Sequence, residues 1–267
     1  MNSRLLIADL STGRSRLRIT GNDRVSFLHG QCTNDILRLQ TGKSCYATFL
    51  DAKGKMRGEA NIVCLDDGFL LDANIGLQPS LERFVITEDV TIKDVSDTYR
   101  LYLVVGDEKL PADAVKFAHP LGTGVITAAR LSATLDVPLL DALRIEAGIP
   151  AWGVDMDENT IPVEAGLASR AISYDKGCYI GQETIARIKT YGHVNRQLVQ
   201  FSVSRSVARG DRLLAGDKEV GQITSAAFSN RLGKTLALGY VRREFAMVGT
   251  GLTIGRCPAE VLKVCGQ

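Results

Sequence analysis

Hydrophobic positions in the first hundred residues mostly alternate with a period of two, which is the pattern of half-buried strands. Residues 16–20 form the first such segment, and apolar residues from Val25 to Ile36 then recur at the spacing of an amphipathic helix. The same criteria predict five further strands, at residues 45–50, 56–65, 69–72, 90–95 and 100–105. They also predict one helix, at residues 77–85. Turns rich in Gly and Asp join several of these strands, so we expect a hairpin meander.

The pattern changes beyond residue 110. Residues 111–124 are predicted to be a loop and residues 125–130 a strand, followed by a helix over 139–147. From there to Tyr174 the chain is rich in Gly, Pro and acidic residues and has little periodicity. Long irregular stretches are uncommon in compact proteins, so this one indicates a functional surface or a tightly packed wrap. One more short helix is predicted over 181–189.

After Asn195 the chain consists of short strands separated by glycines. The predicted strands lie at residues 197–203, 212–214, 220–227, 235–241 and 261–264. Short strands with frequent turn signals favour a small closed barrel. We therefore place a domain boundary near residue 195 and a β-barrel after it.

Composition and charge mainly exclude classes of protein. Hydrophobic residues make up 45% of the chain and charged residues 23%, as in ordinary globular proteins. No apolar run approaches the roughly 18 residues that a membrane span requires, and Asp9 interrupts the N-terminal apolar stretch where a signal peptide would continue. The net charge of +2 is too small to indicate a nucleic-acid footprint. We expect a monomer that binds neither membranes nor nucleic acid.

The six cysteines form no C-x-x-C pair, and only three histidines accompany them. Zinc and cluster-ligand motifs are therefore missing from the sequence, and we predict no metal site. Five cysteines lie in apolar or β-branched stretches, where a small buried hydrophobe is expected. Cys178 is the exception. This usage is typical of a reducing, cytoplasmic compartment.

Residues 176–183, with the sequence K-G-C-Y-I-G-Q-E, place a thiol two residues after a lysine and just ahead of a predicted helix start. Lys176 and the helix N-terminus would both favour the thiolate of Cys178. Gly177 and Gly181 would permit a close approach of the backbone to a ligand. The alternative is a buried cysteine that packs beside its aromatic and aliphatic neighbours. These residues alone leave both interpretations open.

Arg144 and Glu146 lie at the end of the helix predicted over 139–147. A carboxylate in a partly apolar pocket accepts two parallel hydrogen bonds from an amidine-like edge, such as that of a pterin. A solvated Arg–Glu pair on the helix surface is the alternative, and on spacing alone it is the commoner arrangement.

Two basic clusters have a similar pair of interpretations. Lys53, Lys55 and Arg57 follow a hairpin turn, and Arg187 and Lys189 lie on the last predicted helix. Either cluster could hold an anion such as the glutamate tail of folate. Each could equally be a solvated surface.

Residues 176–183 resemble the K-G-C-Y-x-G-Q-E signature of YgfZ-type proteins, whose eukaryotic relatives are mitochondrial iron–sulfur assembly factors. Residues 27–35, F-L-H-G-Q-C-T-N-D, resemble a helix ending in T-N-D in this family and in the glycine-cleavage T-protein. Residues 51–55 resemble the family's D-x-K-G-K turn, and residues 143–166 resemble the stretch that contributes to its tetrahydrofolate site. The likeness thus extends across most of the chain.

The resemblance implies an α+β fold of the aminomethyltransferase folate-binding type, with three small domains in a ring around a folate pocket. These would be a discontinuous folate-binding core (1–45 with 110–194), an inserted α+β domain (46–109) and the C-terminal β-barrel (195–267). Tetrahydrofolate would be the cofactor, with Glu146 binding the pterin. Cys178 would be the functional cysteine, with Lys176 beside it as a second catalytic candidate. The further candidates for cofactor contacts are Arg144, Tyr179, Arg187 and Lys189.

Two departures from the aminomethyltransferases bear on function. These enzymes carry an acidic D-D pair after the glycine turn, where this chain has Arg57, Gly58 and Glu59. They also lack a cysteine at the position of Cys178. We therefore expect an accessory protein for the assembly or repair of iron–sulfur enzymes, in the cytoplasm or, in a eukaryote, the mitochondrial matrix. Its partners would be iron–sulfur client or assembly proteins.

Two alternatives stay open. One is a folate-dependent aminomethyl or one-carbon transferase, so the sequence does not decide whether the protein is an enzyme. The other is an interaction scaffold whose folate pocket is vestigial.

Overall fold

The computed structural model of the protein describes residues 5–106 and 109–266. They divide into two compact units: a first unit up to residue 137 with 171–183, and a second unit of 138–170 with 184 onwards. The predicted three-domain division remains a prediction. Residues 1–4, part of the N-terminal stretch that predicted no signal peptide, lie outside the described ranges. None of the helices described here is long and apolar enough to cross a membrane.

A five-stranded antiparallel sheet occupies much of the first unit. Its strands, in sheet order, are β3 (Ser44–Leu50), β4 (Met56–Leu65), β5 (Gly68–Asn74), β2 (Arg14–Thr20) and β6 (Thr91–Asp94). Two helices pack on it, α1 (Arg24–Gln31) and α2 (Leu77–Glu82). Leu28 of α1 and Leu81 of α2 belong to the same buried cluster as Leu17 and Phe49 of the sheet. This burial of apolar surface holds both helices on one face of the sheet.

The predicted helix over 25–36 is too long, because α1 ends at Gln31. Cys32 is extended and forms an isolated bridge with Phe49, and the Thr33 N–H bonds the Thr48 carbonyl. The Asn34 side chain accepts the next backbone N–H. Such short polar side chains compete with helical hydrogen bonds, which explains the early end.

A second, four-stranded antiparallel sheet in the same unit contains two strands that were not predicted. In sheet order its strands are β1 (Leu6–Asp9), β7 (Arg100–Val105), β9 (Gly122–Thr127) and β8 (Val115–His119). Strand β8 falls in the stretch predicted to be a loop, and β9 begins three residues before its predicted start. A Cβ at Gly124 would lie 2.1 Å from the Phe117 ring, so the glycine makes room for that ring to cover β9. Glycines and an edge position weaken the strand pattern here.

The second unit combines three helices with a closed six-stranded barrel. The helices, which fall mainly in this unit, are α3 (Val137–Ala147), α4 (Ala168–Ala171) and α5 (Gln182–Tyr191). The barrel strands, in order around the barrel, are β10 (Arg196–Val203), β13 (Lys234–Arg242), β12 (Lys218–Ser229), β11 (Arg212–Ala215), β14 (Gly251–Ile254) and β15 (Cys257–Val264). A 3-10 helix, Arg243–Phe245, follows β13.

The pairing of β10 with β15 closes the barrel. The prediction of an α+β fold with a small C-terminal barrel is therefore confirmed. Strand β14 was missed, and β15 begins four residues before its predicted start. Strand β14 has only four residues, and it pairs with the first residues of β15 across the Gly255 turn, so the periodic pattern has little length in which to appear there.

The barrel interior gives a direct test of the packing. Phe201 on β10 is 0% exposed inside the barrel core, whereas Phe228 on β12 is 56% exposed. We expect Phe201→Ala to lower the free energy of unfolding by about 3–5 kcal/mol, because it leaves a cavity in a packed core. Phe228→Ala is the matched control and should change it by about 0.5 kcal/mol or less. Urea unfolding of both variants measures this, and equal losses would contradict the packing described.

Candidate functional site

The segment that carries Cys178 runs along the end of α1 within the first unit. The Ser173 N–H donates to the Thr33 carbonyl at 3.0 Å, and the Ile180 N–H donates to the Gly30 carbonyl at 3.2 Å. These two backbone hydrogen bonds bracket residues 174–179. The position of the segment is therefore set by the turn that follows α1.

Lys176 anchors the middle of this segment. It is 7% exposed, and its Nζ donates to the carbonyls of His29 (2.6 Å), Cys32 (2.7 Å) and Asn34 (2.9 Å). An ammonium has three N–H groups, and all three are engaged here. Burial lowers the pKa of Lys176. The first role of Lys176 is thus to hold the segment in place, and its predicted catalytic role remains a prediction.

Tyr179 packs next to this anchor. Its side chain is buried, and the Lys176 Nζ lies 4.9 Å from the ring centroid, within the range of a cation–π contact. Burial raises the pKa of Tyr179 to about 12, so the hydroxyl is neutral at physiological pH. Its predicted contact with a cofactor remains untested by this geometry.

Cys178 is the exposed cysteine of the chain. The other five cysteines are buried or half-buried, as the apolar stretches around them predicted: Cys32, Cys45, Cys64, Cys257 and Cys265. The alternative interpretation of Cys178 as a buried packing residue is therefore wrong. Its thiol is accessible to reagents and partners, which is the first requirement for reactivity.

Gly181 brings the backbone close to β3 rather than to a ligand. Its φ is +84°, a conformation that side-chain-bearing residues rarely adopt. A Cβ there would lie 2.5 Å from the Asp51 carbonyl oxygen and 2.8 Å from the Leu50 Cβ. The glycine is therefore required by packing within the first unit.

Glu146 lies near the end of α3, and its backbone is held firmly. The amide of Gln200 donates to the carbonyls of Ile145 (2.6 Å) and Glu146 (2.9 Å). Gly148 follows with φ +74°, and its N–H bonds the Ile145 carbonyl, as is common where a helix ends. The Gln200 side chain and this turn satisfy carbonyls that the helix end leaves open. Glu146 thus projects from a rigid position.

The Glu146 carboxylate accepts one hydrogen bond at each oxygen. Ser229 Oγ donates to Oε2 at 2.6 Å, and the Nε of Arg231 donates to Oε1. The Ser229 hydrogen bond lowers the pKa of Glu146, and the Arg231 guanidinium acts in the same direction. The carboxylate is therefore ionised at neutral pH. Each oxygen also keeps a second lone pair, which a further donor can use.

Arg144 does not pair with Glu146. It is 9% exposed, and its Nη1 donates to Asp155 Oδ2 at 2.6 Å and to the Ile149 carbonyl at 3.2 Å. Its Nε donates to Asp141 at 2.5 Å. Its Nη2 is buried and has no hydrogen-bond partner among the described residues. The alternative of a solvated Arg–Glu pair is thus wrong, while the cofactor contact predicted for Arg144 remains a prediction.

The remaining candidates are basic residues, which either lie at the surface or bind neighbouring parts of the fold. Arg187 and Lys189 are exposed on α5, and their cofactor contacts remain predictions. Arg57 is held in the first unit: its Nε donates to the Leu50 carbonyl at 2.6 Å and its Nη1 to Ser80 at 2.9 Å. Burial lowers the pKa of Arg57 to about 10. Arg57 therefore links the end of β3 to Ser80 on α2.

The candidate residues fall into two groups, each described within its own unit. Lys176, Cys178 and Tyr179 belong to the first unit. The residues from the helices, Arg144, Glu146, Arg187 and Lys189, belong to the second.

Two charged clusters were not predicted from the sequence. In the first unit, Arg14 binds the carboxylates of Glu59 and Asp72. In the second, Asp155 accepts hydrogen bonds from Thr224 (2.5 Å) and Ser225 (2.7 Å) in addition to Arg144. Alternation along β2, β4 and β5 could have flagged the first cluster, because it puts the three side chains on one face. The residues around Asp155 carry no such pattern.

Comparisons with known proteins agree with this architecture. Residues 196–264 match the family model described as the glycine cleavage T-protein C-terminal barrel domain. A solved structure, the glycine cleavage system aminomethyltransferase T of Bartonella henselae, aligns with a TM-score of 0.84 and 18% identity, over 99% of this chain and 86% of that chain. The chain therefore has the T-protein fold, with a C-terminal barrel of the T-protein type.

Sequence relatives include a transferase-named protein and aminomethyltransferases. A chloroplastic protein of Arabidopsis thaliana, named as a putative transferase, is 25% identical over 94% of this chain and 68% of its own length. Aminomethyltransferases of Thermosynechococcus vestitus and of Nostoc are 41% and 39% identical, over 43% and 46% of this chain. These two alignments span only 31% and 34% of the enzymes' lengths.

The anchoring role of Lys176 gives a stability prediction. Lys176→Met removes the donor from three carbonyls at the end of α1, so we expect a loss of at least about 3 kcal/mol in the free energy of unfolding. Lys53→Met, at an exposed position on the 51–55 turn, is the control and should cost about 0.5 kcal/mol or less. Denaturant titration of both variants measures their free energies of unfolding. If both variants unfold at the same midpoint, the ammonium does not hold the segment.

Proposed function

We propose that this chain is a tetrahydrofolate-binding accessory protein of the YgfZ type, which supports the assembly or repair of iron–sulfur enzymes through the thiol of Cys178. The observation that carries the proposal is an exposed thiol on a segment fixed by the buried Lys176 ammonium. A fixed backbone and an exposed side chain, as found at Cys178, together suit a group that reacts. The segment carries the K-G-C-Y-I-G-Q-E sequence that resembles the YgfZ signature.

The state of Glu59 favours this role over transferase chemistry. Glu59 is the carboxylate in the stretch where aminomethyltransferases carry their acidic pair. It is 3% exposed, and its two oxygens accept hydrogen bonds from Arg14, at 2.5 Å from Nη1 and 3.3 Å from Nη2. A buried carboxylate in such a bidentate pair is shielded from a substrate. It is poorly placed to act as a base.

Tetrahydrofolate is compatible with the Glu146 site. The pterin presents two parallel N–H donors, and Glu146 is an ionised carboxylate with one lone pair still available on each oxygen. Glu146 would hold the pterin edge, with Ser229 and Arg231 keeping the carboxylate charged and oriented. When bound, the cofactor would supply nitrogen atoms that carry one-carbon units.

A folate-dependent one-carbon transferase is the second candidate. It is favoured by the names of the relatives, which are a transferase in Arabidopsis and aminomethyltransferases in cyanobacteria. Turnover of an aminomethyl or N-methyl substrate by the purified protein with tetrahydrofolate would support it. Saturable folate binding without turnover would support the accessory role. No saturable binding would support a scaffold.

The setting of this function follows from the same proposal. The partners would be iron–sulfur client or assembly proteins in the cytoplasm or in an organelle. The chloroplastic relative makes an organelle a reasonable setting in a photosynthetic eukaryote.

The cofactor assignment predicts the effect of Glu146→Ala. Losing a charge-assisted bidentate pair should weaken tetrahydrofolate binding by about 1.5–3 kcal/mol, which is roughly a 10- to 150-fold rise in Kd. Isothermal titration calorimetry measures the change. Glu158→Ala, at an exposed acidic position in the same unit, serves as the control and should bind like the wild type. Equal affinity of all three proteins would mean that the pterin does not bind at Glu146.

The thiol assignment predicts the effect of Cys178→Ser in cells that lack this protein. The exposed side chain contributes little packing, so the variant should accumulate normally but fail to restore iron–sulfur enzyme activity. Cys64→Ser, at a half-buried cysteine in the same unit, is the matched control and should restore it. Enzyme activity is compared at equal protein level by immunoblot. Full restoration by Cys178→Ser would refute the role of the thiol.

A further inference from the structure

The turn of residues 51–55 holds two lysines on a fixed backbone. Asp51 Oδ1 accepts the backbone N–H groups of Lys53 and Lys55, each at 2.9 Å. The Asp51 N–H donates to the Lys55 carbonyl at 2.8 Å, and Gly54 adopts a φ of +79° within the turn. The carboxylate of Asp51 therefore binds the main chain of the turn, and within the described ranges it forms no ion pair with either lysine ammonium.

Two arginines add positive charge beside this turn. The guanidinium carbon of Arg57 lies 4.7 Å from the centroid of the Phe84 ring, and that of Arg83 lies 5.2 Å from the same centroid. Both contacts are within the range of a cation–π interaction. Arg57 donates to the Leu50 carbonyl and to Ser80 rather than to a carboxylate. Two cations therefore share one aromatic ring.

The acidic residues of these segments do not neutralise the cations. Glu82 precedes Arg83, and its Oε1 accepts the side-chain amide of Gln78 at 2.7 Å. Across residues 5–106 and 109–266, no ion pair is formed by the four cations that we call the basic patch: Lys53, Lys55, Arg57 and Arg83. Burial lowers the pKa of Arg57 to about 10, Arg83 acts in the same direction, and Asp51 opposes it. Arg57 stays protonated at neutral pH, so the patch holds like charges whose repulsion a bound anion would reduce.

The basic patch adjoins the segment that presents Cys178. A Cβ at Gly181 would lie 2.5 Å from the Asp51 carbonyl oxygen, so the backbones of the two segments are in direct contact. Cys178 precedes Gly181 by three residues, and three residues of chain span at most roughly 11 Å. A molecule bound at the turn is therefore close enough to reach the Cys178 segment.

We propose that the basic patch docks an acidic segment of a protein partner and so brings that partner to Cys178. Lysine ammoniums are separate point charges on flexible stems, which suit several carboxylates along a chain better than one bidentate group. The patch also extends from the 51–57 hairpin to the end of α2, so it fits a run of acidic side chains. The net charge of +2 provides no wide positive field for a nucleic acid. The inference rests on the proposed function in one respect, that the partner is acted on at Cys178.

The test compares two synthetic peptides that alkylate Cys178 in the purified full-length protein. One carries a chloroacetyl group on a hexaglutamate chain, and the other carries it on a hexaglutamine chain. The thiolate displaces chloride from either probe, so the ratio of the two rates cancels the intrinsic reactivity of the thiol. Trypsin releases residues 177–187, a peptide whose one cysteine is Cys178, and mass spectrometry measures its modification alone.

We expect the hexaglutamate probe to react at least about tenfold faster than the hexaglutamine probe at low ionic strength, because opposite charges steer association. In about 0.5 M salt the ratio of the two rates should fall toward one, because salt screens exposed charges. Lys53→Glu combined with Lys55→Glu should bring the ratio to about one even at low salt, because the charge of the turn is reversed.

The matched control is Lys109→Glu combined with Lys116→Glu. It changes the net charge equally, at exposed positions before and on β8 in the same unit, and should keep the wild-type ratio. Circular dichroism shows whether each variant is folded. If the charge reversal on the turn unfolds the protein, Lys53→Gln combined with Lys55→Gln removes the same charges without reversing them. That variant should lower the ratio at least about threefold.

The outcomes separate this inference from the proposed function. A wild-type ratio near one, or an equal fall in the turn variant and its control, overturns the docking surface whatever the cell assay shows. A fall in the turn variant alone supports it. If the expected ratios appear while Cys178→Ser still restores iron–sulfur enzymes in cells, the proposed function fails and the docking surface stands.

The glutamate tail of folate is the competing occupant of the basic patch. Calorimetric titration with monoglutamyl and pentaglutamyl tetrahydrofolate distinguishes it. If the Lys53 and Lys55 reversal weakens binding of the pentaglutamyl form alone and leaves the probe ratio at its wild-type value, the patch holds the cofactor's tail. The docking surface for a protein partner is then wrong.

Discussion

A buried ammonium costs free energy unless every N–H group finds an acceptor, and Lys176 meets that condition with three backbone carbonyls. One of these carbonyls belongs to the last turn of α1 and the other two to the residues that follow it, near the negative end of the helix dipole. The same interaction therefore ends the helix favourably and fixes the segment that presents Cys178. Its acceptors are main-chain atoms, so the anchor depends on the shape of the turn and not on particular side chains. The exposed thiol of Cys178 therefore projects from a backbone that the Lys176 anchor holds in place.

The second unit uses a buried charge in a comparable way. Asp155 accepts hydrogen bonds from Arg144, Thr224 and Ser225, which joins the irregular stretch after α3 to strand β12 of the barrel. Arg144 comes from α3, so the helix that carries Glu146 is tied to the barrel at two places: through Arg144 and through Gln200. Breaking a buried charge network of this kind is expensive. Glu146 therefore projects from a helix end that cannot easily shift.

The sequence predicted features that are encoded locally and missed those that depend on long-range pairing. Five of the six barrel strands were found because each has its own strand pattern, and Cys178 was singled out because a lysine, two glycines and a predicted helix start lie around it. The partners of Lys176 could not be predicted, because they are backbone carbonyls, which every residue has whatever its side chain. The Arg14 cluster depends on the register of three strands, and a shift of one residue would separate it. The end of α1 was misplaced because the hydrophobic period continues to Ile36 while the backbone turns at Cys32.

Glu59 and Glu146, the two carboxylates discussed for function, differ in how firmly they hold their arginine partners. Glu59 and Arg14 form a pair in which the side chains are 4% and 21% exposed, so separating them would leave a nearly buried charge without a partner. Glu146 is also shielded, at 15%, but its partner Arg231 is 69% exposed. Pairs with an exposed arginine contribute about 0–1 kcal/mol, because water competes for the guanidinium. The Glu146–Arg231 contact therefore costs little to rearrange, whereas breaking the Glu59–Arg14 pair would cost considerably more. The difference in exposure of the two arginines is the physical reason why Glu59 has a structural role and Glu146 is the carboxylate that we propose for pterin binding.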